Sequence, residues 1–246
     1  MPRLPSSFFR LAAGVLAAGL LLAPLALAEP TRKQSRVFGG LVATTGAEYE
    51  RLDAVNGGIR IEREARVGAA ETVNGGILVE GGAEVGRAET VNGGIRIGER
   101  VRLGHAETVN GGIKLGRDSQ VSGSLRTVNG GIGLAAGSRV EGDVATINGG
   151  IRLGGAAVRG VLRTVNGDIL LERGSSAGGI QIEAAHRGLW NWSGEKLPRV
   201  VIGPEGVVDG PMVFRRAVRL YVHASARIGP IEGATPLPFE GESPSE

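Results

Sequence analysis

The chain of 246 residues contains no cysteine. That excludes a disulfide framework, a thiolate zinc knuckle and thiol nucleophiles. Aromatic residues make up only 4%, so any core must be built from small and β-branched side chains. Charge of one sign is also scarce in excess, with a formal net charge of +3. Residues 1–28 hold Arg3 and Arg10 and no acid; without them 26 basic residues face 25 acidic ones. So balanced a chain gives no electrostatic reason to expect nucleic acid as a partner.

Long apolar runs are absent apart from residues 11–22. That run follows two arginines and precedes Ala26-Leu27-Ala28, a small-x-small cleavage pattern. The order is that of a secretory signal peptide cut between Ala28 and Glu29. The run falls short of the roughly 20 residues a membrane-spanning helix needs, and Pro24 interrupts its continuation. The expectation is an exported protein, periplasmic, cell-surface or extracellular, with no transmembrane segment in the mature chain.

What is present in excess is glycine, 43 residues. It does not fall at every third place, so the chain is not collagen. Instead it follows asparagine. Asn56, Asn74, Asn92, Asn110, Asn129 and Asn148 are each followed by Gly-Gly-Ile, and Asn166 by Gly-Asp-Ile. Their separations are 18, 18, 18, 19, 19 and 18 residues. Other columns keep step. Val55, Val73, Val91, Val109, Val128, Ile147 and Val165 precede the asparagines. Ile61, Val79, Ile97, Leu115, Leu134, Leu153 and Leu171 stand five places after them. Val67, Val85, Leu103, Val121, Val140, Val158 and Ala177 follow at ten or eleven.

Alone, each Asn-Gly between apolar residues signals a hairpin. Repeated at a fixed period, it signals a corner. Three sides of about six residues close one turn of a single-stranded parallel β-helix, an all-β solenoid whose alternate residues point inward. Right-handed crossovers are the default for parallel strands. A helical repeat is excluded because two glycines per period would each cost about 1 kcal/mol. A meander of hairpins gives no reason for such strict columns.

The side reading "AETVN" or "LRTVN" permits two registers. Burial statistics favour valine inside. The other choice, threonine inside, would leave a stripe of valines on the surface, a sticky face. The asparagines read as a structural column that serves backbone groups of neighbouring turns. The glycines after them read as residues that permit positive φ.

The organisation expected is a signal peptide at 1–28, a lead-in at 29–50 and regular turns at 51–183. A tryptophan-containing loop follows at 184–199, then further turns at 200–231 and a flexible tail at 232–246. Val201, Val207 and Val213, again six apart, mark the resumed columns. About nine turns result, a rod of roughly 40 Å at the strand spacing.

No catalytic constellation, cofactor motif or metal-ligand spacing stands out. His105, His186 and His223 are far apart in sequence, and His105 replaces Arg87 of the preceding repeat. The reading is a non-enzyme without cofactor, and His105 reads as a solvated substitution. A β-helix enzyme centred on His105 or His223 is the remote alternative. For ligand contact the candidates are Trp190 and Trp192, which can stack on sugar rings, and the outward basic column Arg60, Arg96, Lys114 and Arg152.

The "TVNGGI" and "TVNGDI" phrases resemble a bacterial adhesin-repeat domain, and "VVIGPEGVVDG" with "ARIGPIEG" resembles the bactofilins, polymer-forming β-helix proteins. The resemblance implies a parallel β-helix. The adhesin-repeat resemblance implies an extracytoplasmic location, and the bactofilin one implies end-to-end polymerisation near a membrane. The chain departs from bactofilins in its signal peptide, which would place any polymer outside the cytoplasm. The expected role is structural or adhesive, through self-association or contact with envelope polysaccharide. It brings no ligand residues with it.

Overall fold

A computed structural model describes residues 32–184 and 197–244. Among them the regular structure is entirely β, and every strand pair is parallel. The chain winds as a β-solenoid. One wall is an 11-stranded sheet of short strands, from Leu41–Ala43 through Ile59–Ile61 and Ile77–Val79 to Pro236–Phe239. The other two sides share a second sheet of longer strands, such as Glu48–Asn56, Arg66–Asn74, Glu84–Asn92 and Arg102–Asn110.

Each long strand covers two sides of a turn by bending near its middle, at Gly68, Gly86 or Gly104 in the regular turns, with Glu50 at this place in Glu48–Asn56. A Cβ on Gly104 would lie 2.0 Å from the carbonyl oxygen of Gly86. In the regular turns the bend therefore requires glycine for close backbone approach. Where the period lengthens to 19 residues, the extra residue falls at this bend. The long strand then divides, into Gln120–Val121 and Leu125–Asn129, and again into Arg139–Val140 and Val144–Ala145.

Strands pair one period apart. Ile59 is in register with Ile77, Ile77 with Ile95, and Ile95 with Ile113. The columns read at three, five and about eleven places after each asparagine all point inward and are buried. In one turn Ile77, Val79 and Val85 are each at most 1% exposed. Each such side chain contributes about 1.5–3 kcal/mol relative to an exposed one. No turn has this interior alone, because each needs a neighbour above and below.

The third inward column differs from the burial-based expectation. Thr72, Thr90, Thr108, Thr127, Thr146 and Thr164 are buried, while the valines beside them are half-buried on the outer surface. The reason is a hydrogen bond. Each threonine Oγ1 donates to the carbonyl of the first glycine of the preceding Asn-Gly: Thr72 to Gly57, Thr90 to Gly75 and Thr108 to Gly93, all at 2.8 Å. A buried hydroxyl so paired is not penalised, and the corner carbonyl gains a donor. Ala70, Ala88, Ala106 and Leu125 fill the adjoining inward places.

The rod also extends beyond the sequence-based boundaries. Residues read as a lead-in form a first turn, with Lys33–Phe38 paired to Glu48–Asn56 and Leu41–Ala43 paired to Ile59–Ile61. Part of the supposed tail forms the last short strand, Pro236–Phe239, paired to Arg219–His223. Near the C-terminus the phase is shifted by one. Val200 and Ile202, Val208, and Met212 with Phe214 point inward, in register with the regular columns, whereas Val207 and Val213 do not. Eleven short strands rather than about nine turns lengthen the rod to roughly 50 Å.

Candidate functional site: the valine–asparagine face

The outward valines form a column with the asparagines at the adjacent corner. Val55, Val73, Val91, Val109, Val128 and Val165 are half-buried and Ile147 is exposed. Seven turns of this column span about 29 Å at the strand spacing. Monomeric proteins seldom expose a continuous apolar stripe of this length, and such stripes mark contact surfaces.

Beside it runs a ladder of asparagine side chains. Nδ2 of Asn74 donates to Oδ1 of Asn56 at 3.0 Å, Asn92 to Asn74 at 3.0 Å, and Asn110 to Asn92 at 2.9 Å. The same bond continues through Asn129, Asn148 and Asn166. At the far end, Nη1 of Arg216 donates to Oδ1 of Asn166 at 2.8 Å. The ladder is exposed. It bonds side chain to side chain, and the backbone service expected of it falls to the threonines.

The glycines after the asparagines do not supply positive φ within the repeated phrase. They are required for close packing, since a Cβ on Gly111 would lie 2.1 Å from the Gly93 carbonyl oxygen. The left-handed residues lie at a different corner, seven or eight places after the asparagines, at Glu64, Gly82, Arg100, Asp118, Gly137, Gly155 and Gly174.

On the other flank of the valines lie two charged columns. One stacks Arg51, Ala69, Arg87 and His105; the other stacks Asp53, Glu71, Glu89, Glu107 and Arg126. Arg51 bridges both Asp53, at 2.8 Å, and Glu71, at 2.6 Å. Burial pushes the Glu71 carboxyl above the ordinary carboxylate value, and burial with the Glu89 charge does the same to Glu107. The His105 ring, followed by Arg87, holds Glu89 below that value against its own burial. The His105 side chain is 37% exposed, with its Nε2 turned inside. Its Nε2 lies 3.3 Å from Oε1 of Glu89, at ion-pair distance but without hydrogen-bond alignment.

Glu89, His105 and Glu107 each bring a donor atom to within 4.8 Å of the others, a spacing that could hold a divalent cation. Arg87 already reaches Glu89 at 3.4 Å, and Arg126 follows Glu107 in its column. The cluster is thus a neutralised charge network as it stands. Sequence reasoning missed it, although the 18-residue period itself places Glu89 beside Glu107 and Arg87 beside His105.

The outward basic column is confirmed in place, with Arg60, Arg96, Lys114 and Arg152 all exposed on the short-strand wall. It is half committed: Arg60 pairs with Glu80 at 3.2 Å and Arg152 pairs with Glu172. His223 lies near the far end, where Nδ1 meets Ser225 Oγ at 2.8 Å and the ring packs edge-on to Phe239. Trp190, Trp192 and His186 lie outside the described residues, as do Ala28 and Glu29. No helix among the described residues is long and apolar enough to cross a membrane. No family model matches the chain, and no curated protein or solved structure matches it.

Proposed function

We propose that this is an exported, non-enzymatic β-solenoid of the bacterial envelope, structural or adhesive in its work. The valine–asparagine face is its contact surface for surface polymers, and self-association of the chain is the other route to the same role. The observation that carries this reading is the half-exposed column Val55 to Val165. An inward valine column would have been core; an outward one of seven members is a repeating apolar ledge. The asparagine ladder beside it supports the reading, since it offers a row of amides at the same spacing. A polymer with a matching repeat gains many weak contacts at once, which is how a flat periodic surface achieves avidity. Export rests on the composition of residues 1–28.

The test is a triple variant, Val73→Lys, Val91→Lys and Val109→Lys. These side chains already face outward, so the circular dichroism spectrum and unfolding midpoint should stay close to those of the parent. Co-sedimentation with insoluble envelope polysaccharide should fall at least tenfold. Undiminished binding by a folded triple variant would sink the proposal. A glycan-binding module using Trp190, Trp192 and the basic column is the second reading, favoured by the exposure of Arg96 and Lys114, which have no ion-pair partner among the described residues. It predicts loss on changing Arg96 and Lys114 to Ala, and no loss in the valine variant.

A further inference from the structure

The two ends of the rod present opposite kinds of edge. In the last short strand Pro236 is in register with Leu220, and Pro238 with Val222. The ladder fixes which way an N–H at those places would point. Ala224 donates its N–H forward to the Phe239 carbonyl, while Arg219 donates backward to the Pro198 carbonyl. Donors alternate along a strand, so Leu220 and Val222 also point forward. Residues 236 and 238, in register with them, would direct an N–H straight out of the end. Both are proline and have none. The long-strand sheet closes this end with two-residue strands, Arg227–Ile228 and Ile231–Glu232. Proline and very short strands are the usual means of refusing another strand at an edge.

The first turn has no proline in its strands, and its strand in the long-strand sheet, Lys33–Phe38, is six residues long. Among the described residues, Lys33–Phe38 and Leu41–Ala43 each pair on one side only. Leu41 donates toward the next turn, to the Gly58 carbonyl, so the Val42 N–H points out of the rod. The apolar side chains are exposed too: Phe38 by 78%, Val37 by 48% and Val42 by 43%.

We propose that the first turn is the site of self-association, and that two copies join there head to head into a pair that cannot grow further. The edge runs through two sheets, so its partner must carry donors and acceptors along the same bent outline. A lone added strand could serve one sheet only. Another solenoid turn of this chain has that outline, and the last turn lacks the donors at 236 and 238. That leaves the first turn of a second copy, related by a twofold axis with strands antiparallel. This inference rests on the self-associating part of the proposed function and uses the end of the rod, not its valine face.

Light scattering on the purified protein tests it. The expected mass is two chains; one chain, as when residues 1–31 cover this edge, or an open-ended polymer would overturn the proposal. Val42→Pro removes an outward N–H and no ladder bond. It should yield single chains with an unchanged circular dichroism spectrum, and persistence of the pair would overturn the proposal. Phe38→Lys gives the same reading should Val42→Pro unfold: at least tenfold weaker pairing is expected, and unchanged pairing refutes. The double variant Pro236→Val, Pro238→Val restores the missing donors, so pairs should extend into filaments visible by electron microscopy. A double variant that stays at two chains refutes the closed end. The valine-face triple variant should remain a pair, so failure of that reading and failure of this one are told apart.

Discussion

Replacing Thr108 by valine isolates the hydrogen bond that sets the register of the whole rod. Thr108 is fully buried, and its Oγ1 donates to the Gly93 carbonyl at 2.8 Å. Valine has nearly the same shape, so no cavity opens; what is lost is one donor. An acceptor left without its partner costs about 1–3 kcal/mol. The bond is only partly buried, so water can reach the carbonyl in part, and the lower half of that range is expected. The partner experiment is Val109→Thr. Val109 faces outward beside the asparagine ladder, and a hydroxyl there should change stability by no more than about 0.5 kcal/mol. In the opposite register the two results exchange: Thr108→Val would be harmless, and Val109→Thr would bury a hydroxyl at about 1–3 kcal/mol. Urea unfolding followed by circular dichroism reads the difference as a shift in midpoint at constant slope. Because turns are coupled mainly to their neighbours, amide exchange in the flanking turns should quicken for Thr108→Val alone. A larger cost for Val109→Thr than for Thr108→Val would refute the inward threonine.

Ile95→Asp places a carboxylate in the stack between Ile77 and Ile113, and should cost several kcal/mol or unfold the adjoining turns in the same urea assay. Gly104→Ala drives a Cβ to 2.0 Å from a backbone oxygen and should cost about 1–3 kcal/mol, with protease cleavage near the bend as a second readout. Arg100 holds φ at 55°, so Arg100→Gly relieves a left-handed conformation. It should be neutral to about 1 kcal/mol stabilising in thermal melts, once the added freedom of the unfolded chain is deducted. Glu107 has its carboxyl raised in the fold, so the folded state holds its proton to higher pH than the unfolded chain does. Its contribution is most favourable below the unfolded value and is lost as pH rises through the folded one. Glu107→Gln should therefore gain stability at neutral pH, and the gain should vanish in melts run below about pH 4.

The repeat was legible because a solenoid writes its geometry into the spacing of residues. Inward isoleucines three places after each asparagine, and a period of 18 or 19, suffice to give parallel strands in register. What the spacing does not encode is the choice between adjacent columns that keep equally strict time. Thr108 and Val109 recur with the same period, and hydrophobicity alone prefers valine inside. The structure chooses threonine because a corner of glycines leaves a carbonyl that only a hydroxyl in the interior can reach. The same blindness applies to function. A column of valines is core or contact surface according to one step of register, and that step is settled by the Gly93 carbonyl. The ends escaped the sequence reading for a related reason. The period drifts near the C-terminus, to 20 residues between Arg199 and Arg219 and then to 16 between Leu220 and Pro236, so Pro236 and Pro238 read as a tail. Only the ladder shows that both stand where an N–H would leave the rod. In a repeat protein the regular positions specify the shaft, and the departures from the period decide where the shaft stops and what it can touch.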